Sequence, residues 1–156
     1  MAIPKKLLNY LKKNKVKFEH VVHKTVYTAY DLAQTLKEKL DKIAKSVVIK
    51  TDKGYALLVL PASRLADLKK IKKALKAKKI EIAKEGVMKS FFKIKPGTIT
   101  PFATLHKKVP LLIDKALLKA KEILVSAGSY TDSLRLKVKD FLNLEKPIKG
   151  DFGKKK

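Results

Sequence analysis

Residues 46–61 read Ser-Val-Val-Ile-Lys-Thr-Asp-Lys-Gly-Tyr-Ala-Leu-Leu-Val-Leu-Pro. Two β-rich runs, 46–50 and 55–60, enclose Asp52-Lys53-Gly54, which is a hairpin signal. The second run, Ala56-Leu57-Leu58-Val59-Leu60, is apolar without alternation. It therefore reads as a strand buried on both faces, and Pro61 stops it.

Working outward, Pro4 stands where a first-turn proline is tolerated. Leu7, Leu8 and Leu11 then form an apolar stripe, and Asn14 ends the helix near Lys15. Residues 18–22 have strand composition. Thr28-Ala29-Tyr30-Asp31 matches a capping box, with Thr28 as N-cap. Ala29, Leu32, Ala33, Leu36 and Leu40 follow at helical spacing. On the other side of the hairpin, Leu68, Ile71 and Leu75 mark a helix. Its lysines (Lys69, Lys70, Lys72, Lys73 and Lys76) form either a solvated face or an RNA contact.

Ile80-Glu81-Ile82 is a short strand, residues 85–89 are a helical turn, and residues 93–101 are loop-like around Pro96-Gly97. Residues 111–113 form a strand running into Asp114, a plausible N-cap for a helix through Lys119. Residues 123–125 and 134–136 are strands, and Val138, Phe141 and Leu142 mark the final helix. Strands, helices and a hairpin are interspersed. The expected class is α+β, a single domain over residues 1–149 with a mixed, curved central sheet flanked by helices. Residues 150–156 are expected to be a basic, disordered tail.

The charge is lopsided: 38 Lys and Arg face 14 Asp and Glu, a formal +24 over 156 residues. Such a balance predicts a polyanionic partner, nucleic acid or an anionic membrane. Only Arg64 and Arg135 are arginines. Lysine acts as a point charge on phosphate, whereas arginine is the usual bidentate reader of base edges. Contact with an RNA backbone is thus expected, although a general lysine bias of the genome could contribute.

The lack of cysteine excludes disulfides, a thiol nucleophile and a Cys-type zinc site. His20 and His23, three apart in a strand, point to opposite faces and cannot share a metal ion. No metal and no cofactor are expected. No Gly-x-Ser-x-Gly elbow or phosphate-binding Gly-rich loop occurs. No apolar stretch approaches the ~18 residues of a spanning helix. The first 18 residues are basic, as in a transit peptide, but contain no Arg or Ser and read as a helix of the fold. A cytoplasmic protein is expected.

Two stretches combine backbone-special residues with polar groups. Gly97-Thr98-Ile99-Thr100-Pro101 can hold amide groups rigidly outward, as gripping an oxyanion requires. Ser126-Ala127-Gly128-Ser129 follows a strand end, where backbone can approach a ligand closely. Lys45 opens a strand just before an apolar run, either as an exposed strand-start charge or as a cation aimed into a pocket.

In order and spacing these pieces resemble the YbaK and prolyl-tRNA synthetase insertion-domain family of aminoacyl-tRNA deacylases. His23 precedes Thr28-Ala29 and Asp31-Leu32-Ala33. Ala44-Lys45-Ser46-Val47-Val48-Ile49 matches the segment with the family's lysine. Gly97 to Pro101 is its GxxxP loop, and Leu124-Val125-Ser126-Ala127-Gly128 a later strand end. The likeness covers roughly 110 residues of ordered motifs.

The resemblance implies a free-standing enzyme that hydrolyses the ester of mischarged tRNA, often tRNA for proline carrying a small noncognate amino acid. It implies catalytic roles for Lys45, Gly97, Pro101 and Gly128. It implies substrate contacts from His23, Thr28, Tyr30, Ser46, Thr100, Ser126, Ser129 and Ser133. The implied partners are the acceptor end of tRNA and a synthetase such as prolyl-tRNA synthetase. No membrane partner is expected, and the high charge favours a monomer. Some relatives have a second Gly where Ala127 stands and an Asp near the position of Ser133, so the amino acid accepted is left open. A non-catalytic RNA- or ribosome-binding protein on the same fold is the competing reading.

Overall fold

The computed structural model describes residues 3–94, 98–106 and 109–156. Its centre is the hairpin of β2 (Ala44–Thr51) and β3 (Gly54–Pro61). Thr51 pairs with Gly54 across a two-residue turn, where Gly54 has φ 121°, a conformation that glycine adopts without steric cost. Pro61 closes the strand from inside, as its last residue. On the outer side β2 pairs antiparallel with β5 (Ile80–Ile82). On the other side β3 pairs parallel with β6 (Leu111–Asp114), and β6 parallel with β9 (Ile148–Gly150). The resulting five-stranded sheet is mixed, and the chain is α+β.

The apolar strand β3 is covered twice. Leu57 and Val59 belong to one core cluster, and Ala56, Leu58 and Leu60 to another. The first cluster fills the space between this sheet, α1 (Lys5–Lys13), α5 (Val138–Glu145) and a second sheet. That second sheet has three strands in the order β1 (Phe18–Val22), β8 (Asp132–Lys137), β7 (Glu122–Ser126). The second cluster lies under α3 (Leu68–Leu75), where Ile71 is fully buried. At ~25 cal/mol per Å2 of apolar surface, these clusters supply most of the drive to fold. A third cluster joins α2 (Ala29–Leu36) to Ile43 and Leu124, which form a bridge between the two sheets.

The Thr28 cap is present: its hydroxyl accepts from the Asp31 amide at 3.0 Å, an arrangement worth about 1 kcal/mol. The helix it opens is shorter than the apolar spacing suggests. It ends at Leu36, because Lys37 turns left-handed at φ 53°, and Leu40 belongs to a separate 3-10 turn, Leu40–Lys42. α4 (Glu85–Ser90) is the expected helical turn.

Two expectations are corrected at the C-terminus. Asp114 does not cap an α-helix. Residues Lys115–Lys119 form a 3-10 helix with no side-chain cap, and the Asp114 carboxylate turns inward instead. Its Oδ1 accepts from the amides of Phe152 (3.0 Å) and Gly153 (3.2 Å), and its Oδ2 lies 3.3 Å from Arg64 Nε. Arg64 in turn donates to the Gly153 carbonyl at 2.7 Å.

Residues 150–156 are accordingly not a disordered tail. β9 and β10 (Gly153–Lys155) are ordered strands, β10 pairs with β4 (Arg64–Ala66), and Phe152 is buried in the second core cluster. The lysines of the tail suggest solvation, but Phe152 and the Arg64–Asp114 pair hold it down. At Gly153 a Cβ would stand 2.7 Å from Arg64 Nε and 2.8 Å from Asp114 Oδ2, so a larger residue would have to displace the Arg64–Asp114 pair.

Removing the Asp114 carboxylate leaves two buried amides without their acceptor and the Arg64 guanidinium without its counter-ion. Asp114→Ala is expected to cost about 3 kcal/mol in urea unfolding. It should also make the peptide after Pro147 accessible to limited proteolysis. Wild-type stability in this variant would mean that the tail is not pinned as described.

Candidate active site

The start of β2, the N-terminus of α2 and the β7–β8 connection converge on one cavity of about 230 Å3. β2 brings Ala44, Lys45 and Ser46, and the α2 side brings His23, Tyr27 and Thr28. β7, β8 and the turn between them bring Ser126, Ser129 and Ser133, while Ile99, Met88, Leu32 and Leu124 add apolar wall. Seven residues singled out in the sequence thus meet in one place: His23, Thr28, Lys45, Ser46, Ser126, Ser129 and Ser133.

Others do not join them. Gly97 lies outside the described residues. Pro101 is buried and lines neither this cavity nor the next. Thr100 and Gly128 face a second, larger cavity that includes Leu7, Phe92 and His106. The Gly128 amide is not open toward a ligand, because it donates to Ser126 Oγ at 3.2 Å. The glycine itself is required: φ is 96°, and a Cβ would lie 3.2 Å from the Pro4 ring. Tyr30 is 55% exposed on the outer side of α2, and its hydroxyl accepts from Gln34. The exposed ring beside the cavity is Tyr27, packed edge-on against Tyr130 with ring centroids 4.8 Å apart. Phe102 and Phe92 are core residues.

Lys45 is partly buried. Burial pushes its ammonium below the ordinary lysine range, and the nearby charge of Lys156 adds to the effect. Among the described residues no carboxylate lies within ion-pair distance of it. A desolvated cation without a counter-ion is costly in a fold, and it is suited to an anionic or strongly polar ligand.

His20 lies on β1, whereas His23 follows its last residue, and the two side chains have different partners. Each reaches diagonally across the β1–β8 ladder, His20 to Asp132 (2.6 Å) and His23 to Ser133 (2.9 Å). On the cavity side, His23 Nδ1 is 2.8 Å from the Lys24 carbonyl. A carbonyl only accepts, so Nδ1 carries the proton. Nε2 is then the acceptor and takes the Ser133 hydroxyl proton.

The loop between β7 and β8 is set by Asp132, a residue the sequence reading did not single out. Its carboxylate is fully buried and accepts from Ser129 and Thr131 at 2.7 Å each, besides His20. Burial pushes this carboxyl up, but the three hydrogen bonds outweigh it and bring it down to about 2. The only sequence signal was an acid between hydroxyl residues at a strand start. Nothing local says that the carboxylate turns inward.

The neighbouring 98–101 stretch is tied down in the same manner. Ser126 Oγ donates to the Thr98 carbonyl at 3.4 Å, and His106 Nε2 donates to the Thr100 carbonyl at 3.0 Å. Burial keeps the His106 imidazole below its usual range, so it is neutral at neutral pH. Among the described residues, no three His, Asp or Glu side chains converge as metal ligands would. No helix there is long and apolar enough to cross a membrane.

The chain matches the family model described as an aminoacyl-tRNA editing domain over residues 23–144. It is similar to the prolyl-tRNA editing protein ProX of Acetoanaerobium sticklandii, 25% identical over 142 residues that cover 88% of this chain and 85% of that one. It is also similar to proline–tRNA ligase of Macrococcus caseolyticus, 26% identical over 103 residues, 66% of this chain but 18% of the ligase. Two solved structures share the fold. The hypothetical protein APE2540 superposes with a TM-score of 0.89 at 16% identity, covering 96% of this chain and 99% of that one. A candidate trans-editing enzyme for prolyl tRNA synthetase gives 0.83 at 21% identity, covering 99% of each.

The depressed Asp132 carboxyl gives a signed prediction. Its stabilisation is fully present above the unfolded value near pH 4 and is lost as pH falls through about 2. Asp132→Asn should therefore lower stability by about 2 kcal/mol above pH 5, with the gap to wild type closing between about pH 4 and pH 2. Urea titrations across that range test it, and a gap independent of pH would contradict it.

Proposed function

Because the chain belongs to the aminoacyl-tRNA editing domain family, we propose that it hydrolyses the ester joining a wrongly attached amino acid to the acceptor end of a tRNA. The observation that carries this reading is Lys45, an unpaired, partly desolvated cation in a small cavity lined by hydroxyls. That setting suits a terminal nucleoside and a short aminoacyl group.

An aminoacyl ester is already activated, so positioning and charge stabilisation do most of the work. Water adds to the ester carbonyl, and the tetrahedral oxyanion collapses to free amino acid and the ribose hydroxyl of the tRNA. The neighbouring ribose hydroxyl assists the attack. Lys45 fixes phosphate or ribose at the cavity. His23, placed by its Nδ1 contact with the Lys24 carbonyl, holds Ser133 Oγ by its Nε2 and orients that wall toward the substrate. Thr28 and Ser46 supply further hydrogen-bonding edges, and Tyr27 offers an exposed ring for a base to stack on, a contact worth ~1–3 kcal/mol. The reaction draws on no metal or cofactor.

Both curated relatives above are named for the proline system, which favours tRNA for proline bearing a small noncognate amino acid. The similarity to ProX along most of both chains favours a free-standing editing enzyme, with prolyl-tRNA synthetase as the source of substrate; the high charge favours a monomer. The charge would equally serve a non-catalytic RNA binder. The unpaired Lys45 inside the cavity favours chemistry.

The test is release of amino acid from proline tRNA charged with alanine, cysteine, serine or proline. Release of one noncognate amino acid is expected, and Lys45→Met should reduce it about a hundredfold or more. Binding of uncharged tRNA should change by less than roughly threefold. The Lys45 ammonium is depressed in the fold, so it contributes no stability at neutral pH. The variant should melt no lower than wild type. Intact turnover in the variant removes Lys45 from the site. No release from any substrate, with tight tRNA binding retained, favours the binding-only reading.

A further inference from the structure

A third cavity, of about 650 Å3, opens on the other side of the Lys45 pocket's β2–β3 wall. Lys39, Lys42, Lys119, Lys155 and Lys156 line it, drawn from the Leu40–Lys42 turn, the Lys115–Lys119 turn and the C-terminal strand β10. All five are exposed. The one carboxylate in the lining, Asp41, accepts from Ser63 Oγ, and the Arg64 guanidinium is turned to Asp114. Among the described residues none of the five lysines forms an ion pair, and only Lys42 has a carboxylate, that of Glu38, within electrostatic reach. The two cavities share a wall: Ala44 lines the first, Pro61 the second, and the two are paired across β2 and β3. Lys156 is close enough to Lys45 for their charges to repel.

The fold holds these lysines together against their own repulsion. Arg64 and Asp114 pin β10 to β4, and that pairing sets Lys155 opposite Arg64. A concave cleft lined by one sign of charge focuses its field on an anion that can enter it. A planar lipid surface cannot follow a concave wall, whereas a flexible polynucleotide can.

We propose that this cleft receives the phosphates of the single-stranded RNA leading to the terminal nucleoside, with the C-terminal strand acting as one side of a clamp. The proposal rests on the reading that the Lys45 pocket holds the acceptor end. Its test uses uncharged tRNA, so it is decided separately from hydrolysis.

The experiment is fluorescence anisotropy of end-labelled, uncharged tRNA at several salt concentrations. It compares wild type with Lys39→Gln/Lys119→Gln/Lys155→Gln. A charge-matched control, Lys72→Gln/Lys73→Gln/Lys76→Gln, alters lysines of α3 and its cap that line neither cavity. The exposed positions leave the core untouched, and unchanged melting temperatures check this. The cleft variant should bind about tenfold more weakly or worse. Its slope of log affinity against log salt should be shallower by about 2, as three lost single-strand phosphate contacts require. The control should lose much less on both counts. Equal losses in the two variants, or an unchanged slope in the cleft variant, would overturn the proposal. So would loss of binding to phosphatidylserine vesicles with tRNA binding retained.

Discussion

A strand with no polar face has to be covered on both sides, and β3 imposes that demand on the whole chain. Leu57 and Val59 recruit the layer of α1, α5 and the three-stranded sheet, while Leu58 and Leu60 recruit α3 and Phe152. Once both layers are in place, the edge of β2 next to β3 is fixed in space. Lys45 then sits where the two sheets meet, at the Ile43–Leu124 bridge. The position of the unpaired cation is a consequence of how the core closes.

A chain with 38 basic and 14 acidic residues has few carboxylates to place, and among the described residues two of them, Asp114 and Asp132, are fully buried. Asp114 gathers the C-terminal strand and Arg64. Asp132 gathers the turn between β7 and β8 together with β1. Each shapes one of the two neighbouring cavities. Both arginines serve the fold too, Arg64 at the tail and Arg135 between Glu19 and Glu38. Lysines are left to face solvent and ligand.

Not every lysine is explained by a ligand. Lys15, Lys37, Lys76, Lys93 and Lys146 all adopt left-handed backbone at φ between 48° and 57°, and Lys37, Lys76 and Lys146 cap helices where glycine is the usual choice. A side chain there costs on the order of 1 kcal/mol. Lysine at these places contacts no ligand cavity described above except at Lys93, so the backbone position and not a ligand is what the residue serves there. The five lysines of the basic cleft differ, because three separate segments bring them to one concavity.

The local signals held wherever one stretch of chain decides its own structure. The hairpin around Asp52 and Lys53, the Thr28 cap, the buried strand 56–60 and the lysine-bearing strand start at 44–46 were all legible. The order of motifs was sufficient to indicate the family. What local pattern could not supply was the direction in which a polar side chain turns. Asp114 looked like a cap and became an internal anchor, Gly128 turned its amide to Ser126, and Tyr30 faced outward where Tyr27 faced the cavity. Residues 150–156 looked solvated because a lysine run hides one phenylalanine, and only the packing of Phe152 against β3's neighbours orders them. The sequence by itself determined the segments with a strong hydrophobic period or a restricted backbone, such as the β2–β3 hairpin, α1, α3 and α5, because those signals act over a few residues; the short strands β4, β9 and β10 carry no such signal. The tertiary structure alone decided which polar groups meet, because partners such as His23 and Ser133, or Asp114 and Gly153, are brought together by a core that no short segment specifies.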